Sequence, residues 1–82
     1  MWSVYIIQST VDGYKYRGMS ENVEERLKSH NRGKVKSTNG HRPFKLIYEE
    51  KVESREAARN REKYLKSAAG RKFIQKIIGD LV

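Results

Sequence analysis

Apolar residues in the first twenty positions gather into two short runs separated by polar turn residues, a pattern that predicts two short strands. Trp2 to Ser9 (WSVYIIQS) is rich in β-branched and aromatic residues and ends in polar turn formers. Asp12-Gly13 is a strong turn signal, and Tyr14 to Met19 (YKYRGM) returns as the second strand. A two-residue loop at Asp12-Gly13 and a four-residue loop from Thr10 to Gly13 share one consequence. Either places Tyr5 and Tyr16 on the same face of the hairpin. The four-residue loop is the preferred register, with Ile7 opposite Tyr16 and Gly18 opposite Tyr5. The two tyrosines are then diagonal neighbours, about 7–8 Å apart. The other face would carry Trp2, Val4, Ile6, Met19 and, awkwardly, Arg17.

After the hairpin the period changes. Ser20 reads as an N-cap, with Glu21, Glu24 and Glu25 at the positive end of a helix reaching about His30-Asn31. Arg26, Lys28 and His30 lie towards its negative end, and Gly33 just beyond suits a C-terminal cap. Only Val23 and Leu27 are apolar on this helix, so its buried stripe is thin. Arg26 and His30 are one turn apart and project from one face. Residues 32 to 43 (RGKVKSTNGHRP) form a basic loop, with Lys34, Lys36 and Thr38 as candidate phosphate contacts. A solvated connection would have the same composition. Phe44 to Val52 (FKLIYEEKV) is a third strand, in which Phe44, Leu46 and Tyr48 alternate with Lys45 and Ile47.

Ser54 can cap a second helix, REAARNREKYLKS, whose apolar positions are Ala57, Ala58, Tyr64 and Leu65. Glu62 falls on that same inward stripe, four residues after Ala58 and three before Leu65. The third helix, GRKFIQKIIGDLV, has a plain core face of Phe73, Ile74, Ile77, Ile78 and Leu81. The expected fold is α+β, a three-stranded antiparallel sheet flanked by three helices in the order β-β-α-β-α-α. Residues 1–82 are expected to form one domain.

Charge and composition narrow the function classes. The chain has 82 residues and a formal net charge of +8, the electrostatic footprint of a partner for polyanions. It has no cysteine, which excludes disulfides and thiolate metal sites, and two histidines at unrelated spacing do not make a zinc site. The start, MWSVYII, has neither a basic leader nor a cleavage signal, and no apolar run approaches the ~18 residues of a membrane helix. A cytoplasmic protein is expected.

A phosphodiester hydrolase needs a group to orient and deprotonate water, a cation against the phosphate, and commonly a carboxylate for a divalent metal. Tyr5, Tyr16, Arg26, His30 and Glu62 have the right chemistry. Each also has an ordinary reading: tyrosines as strand packing, Arg26 and His30 as complements of a helix end, and Glu62 in an ion pair with Lys66 one turn on.

The succession VYII, then YRG, NVEERLKSHNRGK, RPFKLIYEE and REAARNREKYLK resembles the GIY-YIG nuclease superfamily, in particular its small stand-alone bacterial members. The resemblance spans roughly Trp2 to Ile78; each motif is short, and their order and spacing carry it. It implies one divalent ion, Mg²⁺ or Mn²⁺, and hydrolysis of DNA, structured or damaged, in repair or recombination. It implies Tyr5 as general base, Tyr16 as positioner of water or phosphate, and Gly18 as a position that leaves the substrate room. Arg26 would neutralise phosphate charge, His30 would relay a proton or contact phosphate, and Glu62 would hold the metal. A phenol with a pKa near ~10 is a poor base at neutral pH, so Tyr5 should be lowered by the metal, Arg26 or a lysine. Ser3-Val4-Tyr5 replaces the usual Gly-Ile-Tyr, and Arg17 replaces an aliphatic residue; Arg17 must snorkel or find a carboxylate. Two other classes remain open: a non-catalytic nucleic-acid-binding module on the same fold, and an RNA- or ribosome-associated factor.

Overall fold

A computed structural model describes residues 1–78. The chain runs through β1 (Trp2–Ser9), β2 (Lys15–Ser20), α1 (Val23–Asn31), a 3-10 turn (Asn39–His41), β3 (Phe44–Val52), α2 (Arg55–Lys66) and α3 (Ala68–Ile78). The α+β class, the antiparallel sheet and the three helices are those expected; the 3-10 turn between α1 and β3 is an addition to the expected order. The strands lie side by side as β2-β1-β3, with β1 in the centre. Leu81, the last residue of the expected α3 face, lies outside the described residues. No helix among the described residues is long and apolar enough to cross a membrane.

The hairpin closes with the four-residue loop. Ser9 N donates to Tyr14 O at 2.8 Å, and Gly13 takes the positive φ of 78° that the loop requires. Ser9 Oγ accepts from the backbone N–H groups of Val11 and Asp12, which ties down the turn. The register follows: Tyr5 pairs with Gly18 and Ile7 with Tyr16. β2 begins at Lys15 and takes in Ser20, one residue later at each end than expected.

Because β1 is central, both of its faces are covered, and Ser3 to Ser9 are all buried. Val4 and Ile6 pack against Ala58, Leu65, Ile74 and Ile78 from α2 and α3. Tyr5 and Ile7 pack on the other side with Val23 of α1 and Phe44 of β3. The expected alternation of β3 fails at one place. Ile6 pairs with Tyr48 but Ile7 pairs with Leu46, so Ile47 is the extra residue of a β-bulge. Tyr48 is thereby turned from the Phe44–Leu46 face to the α2/α3 side, where its hydroxyl donates to Glu50 at 2.6 Å. Glu50 also accepts from Arg61 Nε at 3.1 Å, and the Arg61 guanidinium lies over the rings of Tyr64 and Phe73. Tyr64, expected on the buried stripe, is 38% exposed.

Ser20 is not the cap of α1. It ends β2, and Asn22 caps instead, its side chain accepting from Glu25 N. At the other end, Gly33 N donates to His30 O and Lys34 N to Ser29 O, with Gly33 at φ 78°. These paired bonds are a Schellman cap, which needs a residue free to adopt the left-handed region. Asn31 then joins α1 to β3: its Oδ1 accepts from Phe44 N at 2.7 Å and its Nδ2 donates to Phe44 O at 3.2 Å. Arg17 lies on the α2/α3 side as the parity argument requires. No carboxylate meets it among the described residues; its Nε is buried without a hydrogen-bond partner there, and burial together with nearby Arg71 lowers its pKa.

Candidate active site

The site forms where β1, β2, α1 and α2 meet. Tyr5 projects from the central strand across its partner Gly18. A Cβ at residue 18 would stand 2.7 Å from Tyr5 Oη and 2.9 Å from Tyr16 Cε2. The space left by this glycine is therefore filled by the two tyrosine rings, a correction to the expectation that it leaves room for a substrate. The rings of Tyr5 and Tyr16 lie 6.3 Å apart between centroids, tilted by 42°.

His30, one turn on from Arg26, is fully buried. It completes the inward stripe of α1 as the residue after Val23 and Leu27 at helical spacing. Its ring lies 4.8 Å from that of Tyr16 and 5.9 Å from that of Phe44. Two hydrogen bonds fix it: Nε2 to Tyr5 Oη at 3.0 Å, and Nδ1 to Thr38 Oγ1 at 2.8 Å. Thr38 Oγ1 in turn donates to Val35 O at 3.3 Å, so its single proton is committed. With the hydroxyl proton on that bond, Thr38 accepts from His30 and the ring proton lies on Nδ1. Nε2 is left with its lone pair, and Tyr5 donates to it. The result is a directed chain, Tyr5 O–H to His30 Nε2, His30 Nδ1–H to Thr38 Oγ1, and Thr38 O–H to Val35 O.

Electrostatics keep the ring neutral. Burial, with help from the positive charge of Arg26, lowers the His30 pKa from 6.5 to about 4, so the ring is neutral at physiological pH. Burial also dominates at Tyr5 and pushes its phenol up to about 12. Arg26 does pull it down, as expected, but the neighbouring Tyr16 and Glu62 add to the rise. From the protein groups alone the net direction is upward, so Arg26 by itself does not supply the expected lowering. Arg26 and Glu62, on different helices and far apart in sequence, thus both lie close enough to act on one phenol.

Thr38 was expected to contact a phosphate. It is fully buried, and both of its hydroxyl bonds are internal. Nothing in its polar loop marks it as different from Ser37. Lys34 and Lys36 are exposed on that loop, where a polyanion can reach them. A groove of about 600 Å³ between α1 and β3 carries Glu21, Glu24 and Glu49, the wrong sign for phosphate.

Glu62 has the properties of a ligand for a hard cation. Its side chain is only 20% exposed, and its one ionic contact among the described residues, to Lys66, is a loose 3.8 Å. No group of three or more acidic or histidine residues among the described residues could cage a metal. One available carboxylate fits an ion such as Mg²⁺, which keeps most of its waters and shares the remaining positions with substrate phosphate.

The chain matches the GIY-YIG catalytic domain over residues 1–76 and belongs to that family. Membership carries nuclease activity, in general terms, on nucleic acid. Similar proteins include a UPF0213 protein of Clostridium perfringens, 39% identical over 75 residues covering 90% of this chain and 80% of that one. A UPF0213 protein of Staphylococcus aureus is 36% identical over 75 residues, covering 90% of each chain. No solved structure matches the chain.

Proposed function

We propose that this protein is a metal-dependent DNA endonuclease, one domain over residues 1–82, acting in the cytoplasm on structured or damaged DNA in repair or recombination. One observation carries the proposal. Tyr5 Oη is hydrogen-bonded to the buried, neutral His30, while the charges of Arg26 and Glu62, on separate helices, both act on the same phenol. A tyrosine that only packed would need none of these, and a module that only bound nucleic acid would not need the carboxylate.

The attacking water gives its proton to Tyr5 Oη as the Tyr5 proton passes to His30 Nε2. The two transfers must be concerted, because a phenol near 12 and an imidazole near 4 make the isolated transfer between them strongly uphill. Free tyrosinate is never formed. In the same step the water oxygen bonds to phosphorus and the bond to the departing strand's oxygen breaks; the His30 proton then passes back to Tyr5 as Tyr5 releases its acquired proton through solvent to the departing oxygen. Arg26 neutralises charge building on the phosphate. That phosphate in turn offsets the repulsion Arg26 exerts on a protonated His30. Tyr16 orients the water or a phosphate oxygen, and Lys34 and Lys36 hold the flanking backbone. Glu62 would hold one Mg²⁺ or Mn²⁺, which when bound supplies Lewis-acid stabilisation of the phosphate.

Purified protein with Mg²⁺ should nick DNA, and Glu62→Ala should lose nicking while retaining DNA binding. Failure of the wild type to cut any duplex, single-stranded, flap or junction substrate with either metal would refute the proposal. Binding without cleavage in that assay is the outcome expected of the non-catalytic module.

A further inference from the structure

The hairpin tip carries a second aromatic group that the proposed chemistry leaves unused. The rings of Tyr14 and His41 stack with centroids 4.1 Å apart and 12° between their planes. One carboxylate braces both residues: Asp12 Oδ2 meets His41 Nδ1 at 2.6 Å, and Asp12 Oδ1 accepts from Tyr14 N at 3.0 Å. The loop behind is tied down as well, since Thr10 N and Thr10 Oγ1 both donate to Pro43 O, at 2.9 and 3.1 Å. Yet the pair is open to solvent, with Tyr14 40% exposed and the His41 side chain 34% exposed.

The pair is joined to the candidate site by two routes. Tyr14 precedes Tyr16 by two residues, about 7 Å along the chain. His41 N donates to Thr38 O at 3.0 Å, so the 3-10 turn whose first flanking residue orients His30 also presents His41.

A lone exposed tyrosine would be unremarkable. Here two rings are already aligned face to face and held by a carboxylate, so little conformational freedom remains to be lost when a third flat ring is added. The nearby acid, Asp12, is committed to His41, while Lys15, Arg42, Lys34 and Lys36 bring cations to the same hairpin tip and loop. Flat aromatic surface beside cations suits a nucleotide strand, with bases on the rings and phosphates on the lysines and arginines. Paired bases are stacked on one another and offer no free face.

We propose that Tyr14 and His41 form a stacking platform for an unpaired nucleobase of the DNA, within about two nucleotides of the phosphate held at Tyr5 and Arg26. The preferred substrate class is therefore DNA with an unpaired or extruded nucleotide beside the cut: a flap, a bulge or a strand end. This rests on the DNA-cleaving reading above and deepens it.

The test is a binding measurement made in EDTA, so that cleavage plays no part. The probe is a short single-stranded oligonucleotide with 2-aminopurine, compared with its perfect duplex. Wild-type protein should quench the 2-aminopurine and bind the single strand. Tyr14→Ala should weaken single-strand binding about 5- to 100-fold and remove the quenching, with duplex affinity held within about twofold. Duplex affinity also reports that the variant is folded, and Tyr14→Phe, which keeps the ring, should restore both signals. Equal single-strand affinity in Tyr14→Ala and wild type would overturn the platform and leave the pair as a clasp between hairpin and loop. An equal loss on duplex and single strand would overturn it too. Wild-type protein that binds neither probe would defeat the DNA reading itself.

Discussion

The two faces of the sheet are built on different principles. On the α2/α3 face, Val4, Ile6, Ala58, Leu65, Ile74 and Ile78 make a continuous aliphatic core. Its stability comes from apolar area removed from water, and its composition tolerates exchange among hydrophobic residues of similar volume. On the α1 face, Tyr5, Ile7, Val23 and Phe44 share the interior with His30 and Thr38, both fully buried. Here each polar group is tolerated only because another satisfies it, and removing one member orphans the next. The small domain places ordinary stability on one side and concentrates hydrogen-bonded, directional chemistry on the other. Substitutions should therefore separate stability from activity according to the face they strike.

The strongest separation should come from Tyr5→Phe set beside Leu65→Ala. Tyr5→Phe keeps the ring that fills the space above Gly18 and removes only the hydroxyl, so cleavage should fall about 10²- to 10⁴-fold, while the orphaned His30 Nε2 costs about 1–3 kcal/mol of stability. Leu65→Ala should cost about 2–5 kcal/mol of stability, with the rate of the remaining folded protein little changed. Single-turnover nicking and urea denaturation of both variants would decide this. A Tyr5→Phe variant that cuts as fast as wild type would dissolve the contrast between the faces.

The second expectation concerns pH. His30 resists protonation down to about 4 in the folded protein, against 6.5 when free of its burial and of Arg26. Between those values the unfolded chain binds a proton that the folded chain does not, so stability rises with pH across this window. On acidification, about 3 kcal/mol should be lost progressively from pH 6.5 to pH 4, and none of it above that range. Denaturant midpoints measured across the window should show this slope, and His30→Gln should flatten it. An unchanged slope in His30→Gln would assign the acid sensitivity to another group.

The smallest effect is the most specific. Thr38→Val leaves a buried Nδ1–H without an acceptor, which should cost about 1–3 kcal/mol or drive the ring to its other tautomer. Side-chain ¹⁵N shifts of His30 at neutral pH would distinguish the two, and Thr38→Ser should return the proton to Nδ1. If the wild-type ring already carries its proton on Nε2, the directed chain from Tyr5 to Val35 is wrong.

Much of this architecture could be read from residue order. The hairpin register followed because an even loop must put Tyr5 and Tyr16 on one face, and both loop lengths considered were even. Glu62 stood out because a carboxylate interrupted an apolar stripe. Other features lay beyond such arguments for particular reasons. His30 was set apart from the stripe of Val23 and Leu27 because only apolar residues were counted towards it, although its spacing fits. The bulge at Ile47 was hidden because five residues of regular alternation look the same whether or not the partner strand keeps step. Gly18 was assigned to the substrate because a missing side chain does not say what fills the gap. The rise of the Tyr5 pKa depends on depth of burial, which competes with Arg26 and exceeds it.

Asn31, through its two bonds to the backbone of Phe44, makes the end of α1 behave as if it were another strand of the sheet. His30 is its immediate neighbour in the chain, so the helix end that carries the imidazole is pinned to β3. Residues up to His30 already include both site tyrosines and Arg26, yet a nascent or half-folded chain would hold them without the order that joins them. Assembly of the site and completion of the fold become one cooperative event. For a small basic protein proposed to cut DNA, that coupling would keep partly made copies inactive.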